Sequence, residues 1–293
     1  MVPNGLGGAL ASGEERVRKF YREVMDGHKL PSLPIVANKL LEMLKDPDVN
    51  MQKLCRVMAD DTALAARVLA VSRSPQYALR NLPTTLLGAV QVLGFHTLTS
   101  VVIANATHSL CIKGNKTSEK LWNHSLAVAL TMRLLSKRAG LRDGDMLFLT
   151  GLMHDVGQII LNQGDPAGYE KLVREKPDPQ CPIIDKEQAH YGLDHTVMGY
   201  TLLGHWNMDS QLAQAVFNHH SDVGADDSNQ LAETLTLADY LCAKCDLGFF
   251  TEPQAPSVEV LARHGWEGEQ TTDEVVEQIR RAFHEESALF NAK

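Results

Sequence analysis

FLTGLMHDVGQIIL, residues 148–161, sets His154 and Asp155 side by side inside a stretch whose other residues read as buried helix. Imidazoles and carboxylates are costly in such surroundings unless they are paired or hold a cation. The same pattern recurs in LWNHSLAVAL (121–130) with His124, in LAQAVFNHH (212–220) with His219 and His220, and in LTLADYLCA (235–243) with Asp239. His195, in DHTVMG (194–199), is a further candidate. One such residue is unremarkable. Four helices that carry them point to a single converging metal site.

Working outward from that stretch, helical periodicity dominates and strand signals are nearly absent, so the fold is expected to be all-α. A first helix is expected from Ser12 through GEERVRKFYREVM, with Ser12 as its cap. The two-proline turn LPSLP (30–34) leads into IVANKLLEMLKD, which Asp46-Pro47-Asp48 ends; Asn50 then caps MQKLCRVMA, and Asp60 or Asp61 opens TALAARVLAVS. LLGAVQVLG and FHTLTSVVIANATHSL follow. The polar segment CIKGNKTSEK (111–120) is a subdomain boundary. Beyond it the helices lengthen: one ends on Gly140, and one is expected to run unbroken through residues 143–163. The chain therefore reads as a flexible leader (1–17), an N-terminal helical lobe (18–110), a lobe with the metal site (111–250) and a C-terminal helical extension (251–293).

The gross numbers bound the function. With 293 residues, 44% hydrophobic and 22% charged, the chain can bury a full-sized core. A formal charge of −8 without a local Lys/Arg run argues against direct nucleic-acid binding or an anionic membrane partner. No apolar run is seen to approach the roughly 20 residues that cross a bilayer, and the N-terminus lacks a signal-peptide layout. Five cysteines without framework spacing fit the reducing cytoplasm, and Cys242-Ala-Lys-Cys245 is read as packing. With no receiver or DNA-binding segment seen, input is expected to arrive by contact.

Imidazoles and carboxylates suit first-row divalent ions, and Fe, Mn, Ni, Co or Zn are not distinguished by them. On a helix, His154 and Asp155 would diverge by about 100°. Asp155 can then bridge to a second ion while His154 holds the first, and His219-His220 can split in the same way. Five neutral imidazoles and two carboxylates give −2 against +4 for two divalent ions. Such a pit attracts phosphate and lowers the pKa of bound water, the logic of two-metal phosphoester hydrolysis.

His124, then His154-Asp155 in GLMHDVG, then Asp239 in LADYL, resembles the H…HD…D pattern of the HD superfamily of metal-dependent phosphohydrolases. More specifically, the chain resembles HDOD proteins. LPSLPIVANKLLEMLKDPD, ADDTALAARVLAVSRSPQYAL and TLLGAVQVLGFHTLTSVVIA are similar to the N-terminal half of that family. LWNHSLAVAL, GLMHDVGQIIL, YGLDHTVMGYTLLGHWN and AVFNHH are similar to its HD-like half, so the likeness spans roughly residues 20–245. The resemblance implies an HD-like helical bundle with an N-terminal helical lobe and a bacterial signalling role, since HDOD modules are mostly regarded as non-hydrolytic. His195 and His219-His220 match positions where the related HD-GYP phosphodiesterases place further metal histidines.

The chain departs from those enzymes at three places. HHSDVGADDSNQ stands where the GYP signature would follow, Gln158 replaces a lysine, and Lys120 stands where a glutamate is expected. The expected metal ligands are His124, His154, Asp155, His195, His219, His220 and Asp239, with Asp155 bridging two divalent ions. The expected output is binding of a signalling partner or a small phosphorylated ligand. The alternatives are an active phosphohydrolase, in which Asp155 is the catalytic residue, and a structural bundle with no ion. His190 and His205 are read as surface or packing residues, and His28, His96, His108, His264 and His284 as structural. Lys120 and Arg133 are the cations nearest His124 along its helix.

Overall fold

The computed structural model describes residues 6–25, 29–44, 46, 48–77, 79–141, 143–174, 182–220, 230–249, 256, 258–264 and 269–291. His28, most of the proline-rich loop (175–181) and the segment after His220 (221–229) lie outside the described residues. Helices alone make up the regular structure described, as the periodicity predicts, and the chain forms two compact units. One comprises residues 33–109 with 280–293, the other residues 1–32 with 110–279.

The smaller unit is built from α2 (Ile35–Leu44), α3 (Met51–Ala59), α4 (Thr62–Ser72), a 3-10 turn (Pro75–Tyr77) and α5 (Leu86–His108). Side-chain caps fix where these helices start. Asn50 accepts from the Lys53 N–H (2.9 Å), Asp61 from that of Leu64 (3.0 Å) and Thr85 from that of Gly88 (3.1 Å). α4 lies along α5, and Leu64, Val68, Leu98, Val102 and Ile103 are buried. At Gly94 the backbone turns to φ 71°, ψ 174°, which separates the two apolar runs read from the sequence. Together they still make a 23-residue helix long and apolar enough, by length and composition, to cross a membrane. The expectation that no apolar run reaches that length is corrected, because the two arms meet across the kink at Gly94 with only a single residue out of helical geometry. Arg67 is buried here and donates to His108 Nδ1 (3.2 Å), so His108 is neutral; burial and the guanidinium pull its pKa down to about 4.

The larger unit holds α1 (Leu6–Glu23), α6 (Lys116–Arg138), α7 (Gly144–Met153), α8 (Val156–Gly164), α9 (Pro166–Arg174) and α10 (Ile183–Tyr191). It continues with α11 (His195–His205), α12 (Ser210–Asn218), α13 (Gln230–Lys244), α14 (Val258–Arg263) and the first part of α15 (Glu269–Asn291), whose residues from 280 onward belong to the smaller unit. α1 begins at Leu6, so Ser12 lies inside it rather than at its cap, and a helix occupies most of the expected leader. Val17 and Phe20 are buried, and α1 packs on α11; that apolar face ties residues 1–32 to this unit rather than to α2–α5. Residues 251–293 do not form one extension, because the two units share them.

The expected continuous helix over 143–163 is interrupted at its centre. His154 ends α7 with helical angles, and Asp155, at φ −103° and ψ 15°, leaves the helix before α8 resumes. Two glycines make this junction possible. A Cβ on Gly151 would come within 2.8 Å of the Ala129 backbone on α6. A Cβ on Gly157 would overlap the carbonyl oxygen of His195 and lie 2.9 Å from Gly199 N. Backbone atoms cannot yield as a flexible side chain can. Gly157→Ala is therefore expected to destabilise the protein by about 3 kcal/mol or more, the upper end of overpacking costs. Denaturant unfolding checks this, and a loss under about 1 kcal/mol would mean that α8 and α11 can separate.

Candidate metal centre

His124 lies midway along α6, on the face that also carries Leu121, Ser125 and Val128, all buried. Its Nδ1–H donates to the carbonyl of Leu247, 2.9 Å away, just beyond α13. Asp239 sits on α13, which packs along α6. His154 Nδ1–H donates to the Gly151 carbonyl (2.8 Å), and His219, at the end of α12, donates in the same way to Val216 (2.6 Å). Both acceptors belong to the last turn of a helix, where carbonyls lack an intrahelical partner. Asp155 makes no side-chain capping bond to α8, and its carboxylate faces the histidines instead. His195 opens α11 with its ring held by Glu187 of α10.

All seven residues expected from the sequence converge. Asp155 Oδ2 is 3.2 Å from His154 Nε2 and 3.5 Å from His124 Nε2, and His124 Nε2 is 3.2 Å from Asp239 Oδ1. The other oxygen, Asp155 Oδ1, is 3.4 Å from His195 Nε2 and 3.6 Å from His219 Nε2. His220 Nε2 completes this second group, 3.1 Å from His195 Nε2. Two sets of donors thus share one carboxylate: His124, His154 and Asp155, with Asp239 beside them, and Asp155, His195, His219 and His220. The carboxylate divides between them because Asp155 stands at a helix break, not because adjacent residues diverge on a continuous helix. His124, His154, Asp155, His195 and His219 are buried, whereas His220 is exposed and the Asp239 side chain is 20% exposed, so the centre opens on their side.

The arrangement fits a cation. A carbonyl only accepts, so Nδ1 of His124, His154 and His219 carries a proton, and Nε2 is the inward-facing atom left to bind an ion. Nε2 of His195 is 3.4 Å from that of His219, a spacing at which bare lone pairs repel unless a proton or a metal ion lies between them. Asp155 Oδ1 is buried and accepts no hydrogen bond among the described residues. Burying an unsatisfied carboxylate oxygen is costly, and a cation removes that cost.

Electrostatics shows what stands in for the cation in the metal-free protein. Burial lowers His124 and His195, but adjacent carboxylates outweigh it: Asp239 and Asp155 at His124, Glu187 and Asp155 at His195. Both rise to about 9. Burial lowers His219, and the charges of His195 and His154 add to that shift. The packing around His220, with His219 and His195 beside it, pushes it well below its ordinary value. Burial alone would raise Asp155, yet His154, His219 and His195 hold it well below the usual carboxylate range; His124 does the same for Asp239. At neutral pH His124 and His195 therefore each keep their extra proton.

Glu187 and Tyr169 were not legible as site residues. Glu187 is fully buried, and its Oε2 accepts both the backbone N–H (2.8 Å) and Nδ1–H (2.6 Å) of His195. The Tyr169 hydroxyl donates to Glu187 Oε1 at 2.7 Å. Glu187 lies eight residues before His195, a spacing that means nothing until the turn at Gly192–Asp194 folds α10 back on α11. It brings the carboxylates to three, so the net charge with two divalent ions is +1, half the +2 expected from the sequence. Gln158 is buried and faces Tyr169 (2.9 Å). Lys120 is exposed and Arg133 lies over the Phe148 ring. His190 and His205 stand outside both donor sets, and Cys242 and Cys245 are buried thiols against Thr131 and the Val276 carbonyl.

Residues 30–222 match the family model of the HDOD domain. An HDOD domain protein of unknown function from Geobacter sulfurreducens has a similar structure, with a TM-score of 0.69 and 26% identity over 93% of this chain and 98% of that one. A proposed phosphohydrolase from Shewanella amazonensis, 22% identical, shares the fold with a TM-score of 0.67 over 93% of this chain and 97% of its own. An uncharacterized protein of Treponema pallidum (strain Nichols) is 20% identical over 201 residues, 66% of this chain but only 38% of that protein.

Proposed function

The chain belongs to the HDOD domain family, and from that premise we propose that it is a bacterial regulatory module whose working form holds two divalent transition-metal ions. One ion is held by His124, His154, Asp155 and Asp239, the other by Asp155, His195, His219 and His220. The observation that carries this reading is the Asp155 carboxylate, whose two oxygens face separate sets of imidazoles while one accepts no hydrogen bond among the described residues. Bound ions would supply Lewis acidity and a residual positive charge at the His220–Asp239 opening. That charge suits a small phosphorylated ligand or an acidic partner surface, and Cys55, Cys111, Cys242 and Cys245, none of them in a disulfide among the described residues, suit the cytoplasm.

Hydrolytic turnover of a phosphoester is the second reading, favoured by the opening itself: His220 and Asp239 leave both donor sets reachable from outside. The described side chains weigh against it. Gln158 is turned inward to Tyr169 and Arg133 lies over Phe148, so neither the amide nor that guanidinium is turned toward a phosphate at the opening. Elemental analysis of protein purified without chelator is expected to give about two ions per chain. A value of one or less would remove the binuclear reading. Phosphodiester and nucleotide hydrolysis with Mn²⁺ or Fe²⁺ is expected to stay at background; turnover that disappears in Asp155→Asn would replace the regulatory reading with the enzymatic one.

A further inference from the structure

Three of the inward-facing imidazoles are oriented by backbone carbonyls, which no substitution can remove. His195 differs: a side chain, Glu187, holds it, accepting from its ring and its backbone N–H with one oxygen. His195 is also the centre of its donor set, with Asp155 Oδ1, His219 Nε2 and His220 Nε2 all within 3.4 Å of its Nε2. Whatever sets the tilt and tautomer of this ring therefore sets the geometry of that donor set. An ionised acceptor behind an imidazole also makes the opposite nitrogen a better donor to metal.

Glu187 is itself held from behind. The Tyr169 hydroxyl has one proton and two oxygen neighbours, Glu187 Oε1 at 2.7 Å and Gln158 Oε1 at 2.9 Å. The charged and nearer acceptor takes the proton. The Gln158 amide then does better turned over, with its N–H donating to the tyrosine oxygen. A chain of donors results, Gln158 to Tyr169 to Glu187, and its last carboxylate receives His195. Gln158 begins only three residues after Asp155, on the same first turn of α8 that Gly157 presses against α11.

We propose that Glu187, braced by Tyr169 and Gln158, is the positioning residue that selectively determines metal retention at the His195–His219–His220 position, leaving the His124–His154–Asp239 position untouched. The assignment rests on the two-ion reading above. It gives Gln158 a supporting task inside the protein.

Titration of chelator-stripped protein with Mn²⁺ alone, followed by calorimetry, tests it. The wild-type chain is expected to bind two ions. Glu187→Gln keeps the shape and an accepting oxygen but removes the charge, and is expected to bind one ion unchanged and the other about ten- to a hundredfold more weakly, the range for lost outer partners of a ligand. Tyr169→Phe leaves the carboxylate in place and removes only its brace; it is expected to weaken the same single ion by about three- to tenfold, part of that range. Retention of both ions within twofold in Glu187→Gln, or equal weakening of both, would overturn the assignment. If Glu187→Gln fails to fold, Tyr169→Phe decides by the same criterion. A wild-type chain that takes fewer than two ions would overturn the two-ion reading and this assignment with it, an outcome visible before any variant is compared.

Discussion

Asp155→Asn is expected to lose both ions. The substitution keeps the size of the side chain but replaces one shared anionic oxygen with an N–H donor that points at imidazole lone pairs. Because Oδ2 serves the His124–His154 side and Oδ1 the His195–His219 side, one change addresses both donor sets. Loss of an outer partner already weakens metal sites ten- to a hundredfold, so loss of a bridging ligand is expected to weaken each ion by more than about a hundredfold. Asp239→Asn, in contrast, touches only the His124 side and is expected to cost one ion. Metal content of the two variants against wild type separates these outcomes. An Asp155→Asn chain with two tightly held ions would end the bridging assignment. In chelator, the same variant should also lose stability, because His124 and His195 keep Asp239 and Glu187 but lose the second of the two buried carboxylates that hold their protons.

The second large effect is the pH dependence of the metal-free protein. His124 and His195 titrate near 9 in the fold and near 6.5 when unfolded, so the folded state binds more protons between those values. Their stabilisation is fully present below about pH 6.5 and is lost as pH rises through 9. His219 and His220 are shifted the other way and act below pH 6.5, while Asp155 and Asp239 act in acid, so the window from 6.5 to 9 belongs to the first pair. The stripped protein is therefore expected to lose stability on the order of several kcal/mol across that window, from two groups at about 1.4 kcal/mol per unit each. Metal uptake must displace both protons, so apparent affinity should rise over the same range, with release of about two protons per chain near pH 7.5. Thermal unfolding in EDTA and in excess metal at pH 6.5, 7.5 and 9 reads both effects as a widening gap in Tm. A stripped protein that grows more stable toward pH 9 would contradict the pairing of His124 with Asp239 and of His195 with Glu187.

The sequence determined the helical class, several helix starts and the membership of the site, each for a local reason. Asn50 and Asp61 cap because their short side chains reach N–H groups three residues on, and Gly94 turns because it has no Cβ to clash. His124, His154, Asp155, His219 and Asp239 were legible because ionisable groups stood among residues that had to be buried, and burial is written in local apolar pattern. Only the tertiary structure decided the rest. The break at His154-Asp155 depends on α6 and α11 passing close to Gly151 and Gly157, a constraint absent from the local pattern. Glu187 enters the site through a turn that reverses α10, and α1 joins the larger unit through Val17 and Phe20. Periodicity reports which residues leave water. Which oxygen faces which imidazole is set by how helices cross, and that information resides in contacts between residues distant along the chain.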